Sequence, residues 1–253
     1  MMTDTKALPT RRDEAWRYAD IDAVSRLGAE ALDSWKEITL EAGETRRHAM
    51  VVGSSEPELH RIRLTLGEGA RAELFVSNIG GDFTRVEVEV TLARAAHFEF
   101  GGVTIGGGHA VREFVTTTIH AEPEATSNQT VRSVHWGTGT GNFLGEIKVV
   151  KDAQKTDAAQ DFKGLLLEAG ASANAVPQLE IFADDVKCAH GATVGQLDET
   201  ARYYMAARGL SPADTQRLLV QAFIGDAFVA LDDEESHEKL LGAALGALEG
   251  ATL

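Results

Sequence analysis

The sequence predicts a mainly β protein in which a coiled β core lies between a short helical arm and a helical C-terminal region. Three observations support this fold class. Apolar and polar residues alternate through the middle of the chain, small or polar corners recur between the extended segments there, and a helical apolar periodicity follows. We therefore expect an arm over residues 1–34, a β core over residues 35–196 and helices over residues 197–253.

The N-terminal arm carries aromatic side chains and one helix-start signal. Thr10 is followed three residues later by Asp13, and acidic side chains are favourable in the first turn of a helix. Residues 23–35, AVSRLGAEALDSW, are typical of a short helix. We expect the arm to pack Trp16 and Tyr18 on the main body.

The β core is predicted from period-2 alternation, in which every second side chain is apolar. RIRLTL, RVEVEVTL, HFEFGGVTI, EFVTTTIH and LEIF all have this pattern, and no amphipathic helix of useful length interrupts them. Loose repetition with small corner residues favours a parallel β-solenoid, in which each coil buries its apolar face on its neighbours. A β-sandwich or a double-sheet jelly roll gives a similar pattern and is the alternative. The repeating segments start at irregular intervals, at Arg63, Glu89, Thr117, Lys148 and Leu166.

Three helices are predicted after the β core, each with its own start signal. Asp198 is placed to cap the first helix, which Gly209 then ends. Ser211 and Pro212 occupy the N-cap and first position of a second helix that runs to Leu231. The acidic cluster at residues 232–235 starts the third helix.

The second of these helices has an unusually wide apolar face. Leu219 and Phe223 broaden a stripe that a short tail has little surface to cover. One hypothesis is that the face binds a partner, because burial of a helix in a groove is a common recognition mode. The alternative is packing on the β core. The stripe consists of Val220, Ile224, Ala227, Phe228 and Leu231.

Charge and cysteine content exclude several classes of function. The chain has 24 basic and 39 acidic side chains, a formal net charge of −15, which disfavours binding to nucleic acid or to an anionic membrane surface. Its single cysteine excludes an internal disulfide and a four-cysteine site built from this chain alone. No signal-peptide pattern and no long apolar stretch occurs, so we expect a soluble cytoplasmic protein.

Familiar catalytic signatures are missing from the sequence. GxSxG, the Walker-type phosphate loop, HExxH and CxxC do not occur, and the glycines at residues 106–108 are typical of a turn. Histidines on predicted strands raise the alternative of a cupin-like, metal-dependent β-fold enzyme, although the close His-x-His pair of such sites is absent. The candidate ligands are His97, His109, Glu113 and His120, with His135 nearby in the sequence.

The densest group of reactive side chains lies in residues 180–193, EIFADDVKCAHGAT. Cys188 and His190 are two positions apart, so an extended strand places both on one face. Thiolate and imidazole are suitable ligands for iron, copper or zinc. The alternative is structural, with Cys188 a buried small side chain and His190 a turn residue.

These residues resemble a known family. PQLEIFADDVKCAHGATVGQLDE is similar to the signature of the SufD family of iron–sulfur cluster assembly scaffold subunits. IKVVKDAQKTDAAQ, the leucines at 165–167, YYMAARGLSPADTQRLLVQAF and LPTRRDEAWRYADI are similar in order and spacing, so the resemblance covers nearly the whole chain. The chain looks shortened between the N-terminal motif and the β region.

The resemblance implies a right-handed parallel β-helix followed by a helical C-terminal domain. It also implies that the β core pairs with a SufB-like subunit or a second copy, and that the C-terminal helices bind a SufC-like ABC-type ATPase. His190 would contribute to a transient iron–sulfur cluster or iron at the subunit interface, with Cys188 as a second contributor. We expect Leu219, Phe223 and Phe228 to contact the ATPase.

The leading hypothesis is therefore a non-enzymatic scaffold subunit that binds no nucleotide itself. A lone cysteine and a histidine cannot complete a cluster, so the missing ligands would come from another subunit.

Overall fold

The fold is a parallel β-solenoid of two sheets. The N-terminal arm packs on the outer face of one sheet, and the C-terminal helices pack on the outer face of the other. The computed structural model describes residues 8–248, and the remaining ends of the predicted arm and helical region lie outside the described residues. In this described part, twelve strands form two six-stranded sheets, and consecutive strands alternate between them. Each pair of strands, one from each sheet, makes one coil, and every pairing within a sheet is parallel. The solenoid prediction is confirmed and the sandwich alternative is wrong.

Sheet A contains the odd-numbered strands and sheet B the even-numbered strands. Sheet A has the order β1 (Lys36–Leu40), β3 (Glu58–Leu66), β5 (Phe83–Leu92), β7 (Val111–His120), β9 (Thr140–Val149) and β11 (Ser172–Ile181). Sheet B has the order β2 (Thr45–Val52), β4 (Arg71–Asn78), β6 (His97–Gly106), β8 (Thr126–His135), β10 (Asp157–Leu166) and β12 (Lys187–Gly195).

The irregular spacing of the sequence repeat has a structural origin in the corners. Arg61 is aligned with Glu87, 26 residues later, whereas Thr140 is aligned with Ser172, 32 residues later. The strands stay in register because the additional residues are taken up between strands. The sequence therefore contains no fixed repeat length.

The interior between the sheets is apolar and rich in phenylalanine. The rings of Phe100 and Phe114 meet edge to face with centroids 5.3 Å apart, and those of Phe143 and Phe162 stack at 5.8 Å. All four are buried, as the period-2 pattern requires. Contact between coils thus supplies the core that no single coil could form.

The N-terminal arm packs on the outer face of sheet A. It comprises a 3₁₀ turn at Glu14–Trp16 and α1 (Ile21–Asp33), which Asp20 caps and Gly28 kinks with a positive φ. The Trp16 ring lies 3.9 Å from the buried Arg85 guanidinium carbon, so the expected packing of Trp16 on the main body is confirmed. Asp13 precedes the turn, but its side chain accepts from the backbone of Thr10 at 2.7 Å and does not cap the turn.

The three predicted C-terminal helices are present with the predicted caps. They are α2 (Glu199–Ala206), α3 (Pro212–Gly225) and α4 (Glu234–Ala247), and the caps are Asp198, Ser211 and Asp233. The second helix is shorter than predicted, because α3 ends at Gly225 and a 3₁₀ turn follows at Asp226–Phe228. Within residues 8–248, no helix combines the length and apolar character needed to cross a membrane.

The wide apolar stripe of α3 packs on the outer face of sheet B. Phe228 has no exposed surface and lies in one cluster with Phe75, Val103 and Val134 of the sheet. The alternative of packing on the β core is therefore correct for the stripe. The buried members are Val220, Ile224, Ala227, Phe228 and Leu231.

Candidate functional site

The strand that carries the cysteine–histidine motif is the outermost strand of sheet B. Among the strands of residues 8–248, β12 pairs only with β10, and β11 is likewise the last strand of sheet A. The two strands form the C-terminal end of the solenoid. One backbone edge of each therefore has no neighbouring strand among the described residues, an arrangement that favours pairing with another chain.

Cys188 and His190 lie on the same face of this edge strand. The register aligns Cys188 with Ala158 and His190 with Gln160 of β10, both of which face the solenoid interior. Cys188 is half-buried, whereas His190 is exposed at the open end. Within residues 8–248, no side chain forms a hydrogen bond or ion pair with the His190 ring, so its nitrogens are accessible to an external group.

The environment of Cys188 keeps its thiol protonated. Burial raises the thiol pKa, and the nearby Asp157 carboxylate raises it further. The sulfur packs against an apolar cluster with Ala158, Leu179 and Val186. Because the thiolate is the form that binds metal or attacks a substrate, this cysteine is a weaker donor than His190 in the isolated chain.

Apolar side chains are exposed around the open end. Phe182, directly after β11, is 58% exposed, and Val194 near the end of β12 is 48% exposed. Ile181 is exposed as well. Exposed apolar groups beside unpaired strand edges are typical of a protein–protein contact surface.

The cupin-like alternative is not supported by the geometry. Among residues 8–248, no group of three or more His, Cys, Asp or Glu side chains is arranged to hold a metal ion. His120 is buried at the end of β7 beside Ser127, and burial lowers its pKa to about 4. Glu113 is buried under the arm, where it pairs with Arg85 at 3.1 Å.

The other histidines of that alternative have separate local partners. The His97 Nδ1 atom lies 2.7 Å from Thr126 Oγ1, and the His109 Nδ1 atom lies 2.6 Å from Thr138 Oγ1 in an exposed corner. Burial lowers the pKa of His135 to about 3. The predicted metal site formed by His97, His109, Glu113 and His120 is therefore wrong.

The glycine run before His109 is a corner, as predicted. Gly108 has a positive φ of 59°. Gly107 packs against the Trp136 indole, where an added Cβ would lie 2.6 Å from ring atom Cζ2. The run therefore accommodates a turn and a tryptophan.

The predicted ATPase-contact residues fall into two environments. Phe228 is wholly buried within the chain, so the expectation that it contacts a partner directly is wrong for this conformation. Leu219 and Phe223 are half-buried and line a groove of about 350 Å³ with Val194 and Leu165. These two remain accessible in part.

The helices expose a second set of apolar residues, which lies outside the predicted partner-binding face. Tyr203 is 79% exposed, Tyr204 and Leu218 are also exposed, and α2 contains no buried residue. The Arg208 guanidinium carbon lies 3.3 Å from the centroid of the Tyr204 ring. The available signal was the pair of adjacent tyrosines on a helix too short to bury both.

Comparison with known proteins identifies the family. The model of the SUF system iron–sulfur cluster assembly SufBD core domain matches residues 23–223. An iron–sulfur cluster assembly SufBD family protein of Synechocystis sp. is 34% identical over 161 residues, which are 63% of this chain and 36% of that protein. The iron–sulfur cluster assembly protein SufD of Escherichia coli is 37% identical over 122 residues, 48% of this chain and 29% of that protein.

A third relative extends the comparison to another bacterium. SufD of Bacillus subtilis is 29% identical over 139 residues, which are 55% of this chain and 32% of that protein. The aligned part of the chain thus spans about a third of the length of each of these relatives. Because the family model matches well over half of the chain, the protein belongs to the SufBD core family of iron–sulfur cluster assembly proteins.

Proposed function

We propose that this chain is a non-enzymatic scaffold subunit of a cytoplasmic Suf assembly complex, with iron or a nascent iron–sulfur cluster as its transient cargo. The observation that carries the proposal is the position of His190. This exposed imidazole lies on the edge strand of the solenoid, two residues from the only cysteine. His190 is the principal donor to the cargo, and Cys188 contributes once a partner or metal lowers its thiol pKa.

The remaining cargo ligands come from a partner in this proposal. One imidazole and one thiol leave a four-ligand cluster incomplete. A SufB-like subunit docks its own β core on the edges of β11 and β12, with Phe182 and Val194 at the contact. Strand addition at an open edge satisfies backbone groups on both chains, so the cargo site would form where the two solenoids meet.

The ATPase partner binds the C-terminal helices in this proposal. A SufC-like ABC-type ATPase contacts the exposed face formed by Tyr203, Tyr204 and Leu218, while Leu219 and Phe223 line the adjoining groove. Exposed tyrosines are effective contact residues because they bury a large apolar ring and retain a polar group. ATP turnover takes place in the partner, since this chain binds no nucleotide itself.

The cargo assignment is tested by His190→Ala in the complex with SufB-like and SufC-like partners. We expect the variant complex to assemble normally and to hold less cluster after anaerobic reconstitution, measured by iron and sulfide content and by absorption spectra. His109→Ala, a change at another exposed histidine, is the matched control. Equal cluster content in His190→Ala and the parent would contradict the assignment. Stable self-association without a SufB-like subunit would favour the second-copy form of the interface.

The helix assignment is tested by Tyr203→Glu together with Leu218→Glu. We expect loss of ATPase co-purification with unchanged circular dichroism, because both side chains are exposed and outside the core. Val229→Glu alters a residue that is 79% exposed, the same fraction as Tyr203, and should retain the ATPase. Normal co-purification with the double variant would place the docking surface elsewhere.

A further inference from the structure

One buried arginine joins the C-terminal helices to the β strands next to the cargo site. Arg132 lies on β8 with only 3% of its side chain exposed. Its Nε atom donates to Asp226 Oδ2 at 2.9 Å, and its Nη2 atom donates to Asp161 Oδ2 at 2.5 Å and also to Asp226. Its Nη1 atom donates to the carbonyls of Val131 at 2.8 Å and Asp161 at 3.2 Å. All five N–H groups of the guanidinium therefore have acceptors.

The two carboxylates belong to different parts of the molecule. Asp226 follows α3 directly and begins the 3₁₀ turn, whereas Asp161 lies on β10, between β8 and β12. Lys163 adds a second cation, 3.6 Å from Asp161 and 3.9 Å from Asp226. These two cations and two carboxylates are thus balanced in charge, and they span the boundary between the helices and the sheet.

The contact continues from Asp161 to the strand that carries His190. Asp161 is aligned with Gly191 of β12, and an added Cβ on Gly191 would lie 3.3 Å from Asp161 Oδ1. The bare α-carbon of Gly191 thus leaves the carboxylate directly beside the backbone that follows His190. A continuous line of contacts runs from the end of α3 through Arg132 and Asp161 to β12.

The surrounding helix–sheet contacts are mainly apolar, and apolar contacts fix the orientation of the helices less strictly than the hydrogen bonds of Arg132 do. Val220, Ile224 and Phe228 hold the helices on sheet B by burial, which is non-directional. The planar guanidinium fixes two carboxylates in orientation as well as in distance. Arg132 therefore ties the end of α3 to β10 in a fixed orientation, in addition to the apolar contacts that hold the helices on sheet B.

We propose that Arg132 is a positioning residue that transmits movement of the C-terminal helices to β12 and its His190. The proposal rests on the proposed function, in which the ATPase acts on these helices. When the helices are displaced, Asp226 draws on the guanidinium and Asp161 follows, so β12 shifts or loosens at the cargo site. The geometry gives this role to Arg132 because the same guanidinium binds both carboxylates.

The test uses Arg132→Met and Asp226→Asn, with Arg47→Met as the matched control. Arg47 also joins sheet B to the helical region, because it donates to the Asp232 carbonyl at 2.8 Å while it pairs with Glu73 of β4 at 2.5 Å, but it lies on β2 at the opposite edge of the sheet. Asp226→Asn alters a half-exposed side chain and leaves the pair of Arg132 and Asp161 intact, so it provides a variant that folds if Arg132→Met does not.

The first measurement is hydrogen exchange of the isolated chain, which needs no partner. Arg132→Met should speed exchange in residues 187–195 and 221–228 together by about threefold or more, because local opening becomes easier there, and Arg47→Met should leave residues 187–195 at the parent rate. An unchanged rate in residues 187–195 of Arg132→Met would overturn the proposal, whatever the outcome for the proposed function.

The second measurement is made in the complex with SufB-like and SufC-like partners, with and without ATP. Addition of ATP should change the exchange rate of residues 187–195 in the parent and in Arg47→Met. In Arg132→Met and Asp226→Asn the ATPase should still bind, but ATP should no longer change that rate. The proposal would be refuted if Arg132→Met and Asp226→Asn both kept the ATP-dependent change in exchange. It would also be refuted if the parent showed no such change. Failure of the parent chain to bind either partner would instead refute the proposed function.

Discussion

Gly101 provides a sharp test of how closely the C-terminal helices sit on sheet B. Gly101 lies on β6, directly under the 3₁₀ turn that contains Ala227. A Cβ added there would lie far inside van der Waals distance of the Ala227 carbonyl oxygen and 2.5 Å from Phe75 Cδ1. Because carbon atoms pack at about 3.5–4.0 Å, the ring must move by about 1 Å, and the turn must move as well. The obstacle above Gly101 is backbone, so no change of rotamer removes it.

We expect Gly101→Ala to lower stability by about 1–3 kcal/mol, the usual cost of overpacking. At about 3 °C per kcal/mol for a chain of this size, Tm should fall by roughly 3–9 °C. Hydrogen exchange should rise in residues 221–231, because the turn that moves contains Asp226, the partner of Arg132. The assay is differential scanning calorimetry with exchange on the same samples.

The matched control is the same substitution at the end of α3. Gly225 has a helical φ of −59°, and an added Cβ there would meet no described atom within 4 Å apart from the backbone of its own helix and its chain neighbours. Gly225→Ala should therefore raise stability by up to about 1 kcal/mol, since alanine loses less backbone entropy than glycine in a helix. A parental Tm for Gly101→Ala, or equal losses for both variants, would refute the close approach of the turn to β6.

Three further predictions concern buried groups. Phe228→Ala should cost about 3–5 kcal/mol and Phe223→Ala clearly less, and equal losses in urea titrations would contradict the difference in burial. Burial holds the pKa of His120 at about 4, below about 6.5 in the unfolded chain. The neutral ring therefore favours the folded state fully above about pH 6.5, and about 3 kcal/mol of folding stability is lost as the pH falls toward about 4. His120→Gln should lose less stability than the parent between pH 7 and 4.5, and equal losses would contradict this. Arg85→Met leaves Glu113 buried without its cation and should cost about 3–5 kcal/mol, which Glu113→Gln should partly restore; additive losses would refute the pairing.

The strands and helix starts were predictable because their signals are local. Alternation marks a strand within a few residues, and a cap such as Ser211 with Pro212 marks a helix start within two. The packing of the α3 stripe was not predictable, since the sequence does not show that sheet B offers Phe75 and Val103 as a complementary face. The apolar stripe was therefore compatible with both a partner and the chain's own core.

The candidate site was predicted only as far as neighbouring residues allow. Two-residue spacing correctly placed Cys188 and His190 on one strand face. Arg132 and Asp226 are 94 residues apart in sequence, and nothing near either one indicates that they meet. The alternative of a metal site at His97, His109 and His120 was wrong for the same reason. Which strand and corner residues approach one another depends on the coiling of the whole chain, and local sequence does not show it.

The position of the motif at the end of the solenoid has a thermodynamic consequence. An inner coil is stabilised by a neighbour on each side, whereas the last coil has only one within residues 8–248. Gln160 adds contacts within the last coils. Its side chain crosses the interior, where the Nε2 atom donates to the carbonyls of Gly145 at 3.3 Å and Gln178 at 3.2 Å. These hydrogen bonds join β10 to β9 and β11, but none of them holds β12, on which His190 lies. β12 therefore has no coil beyond it among the described residues, so in the proposed function docking of a second β core would order this strand as it completes the ligand set.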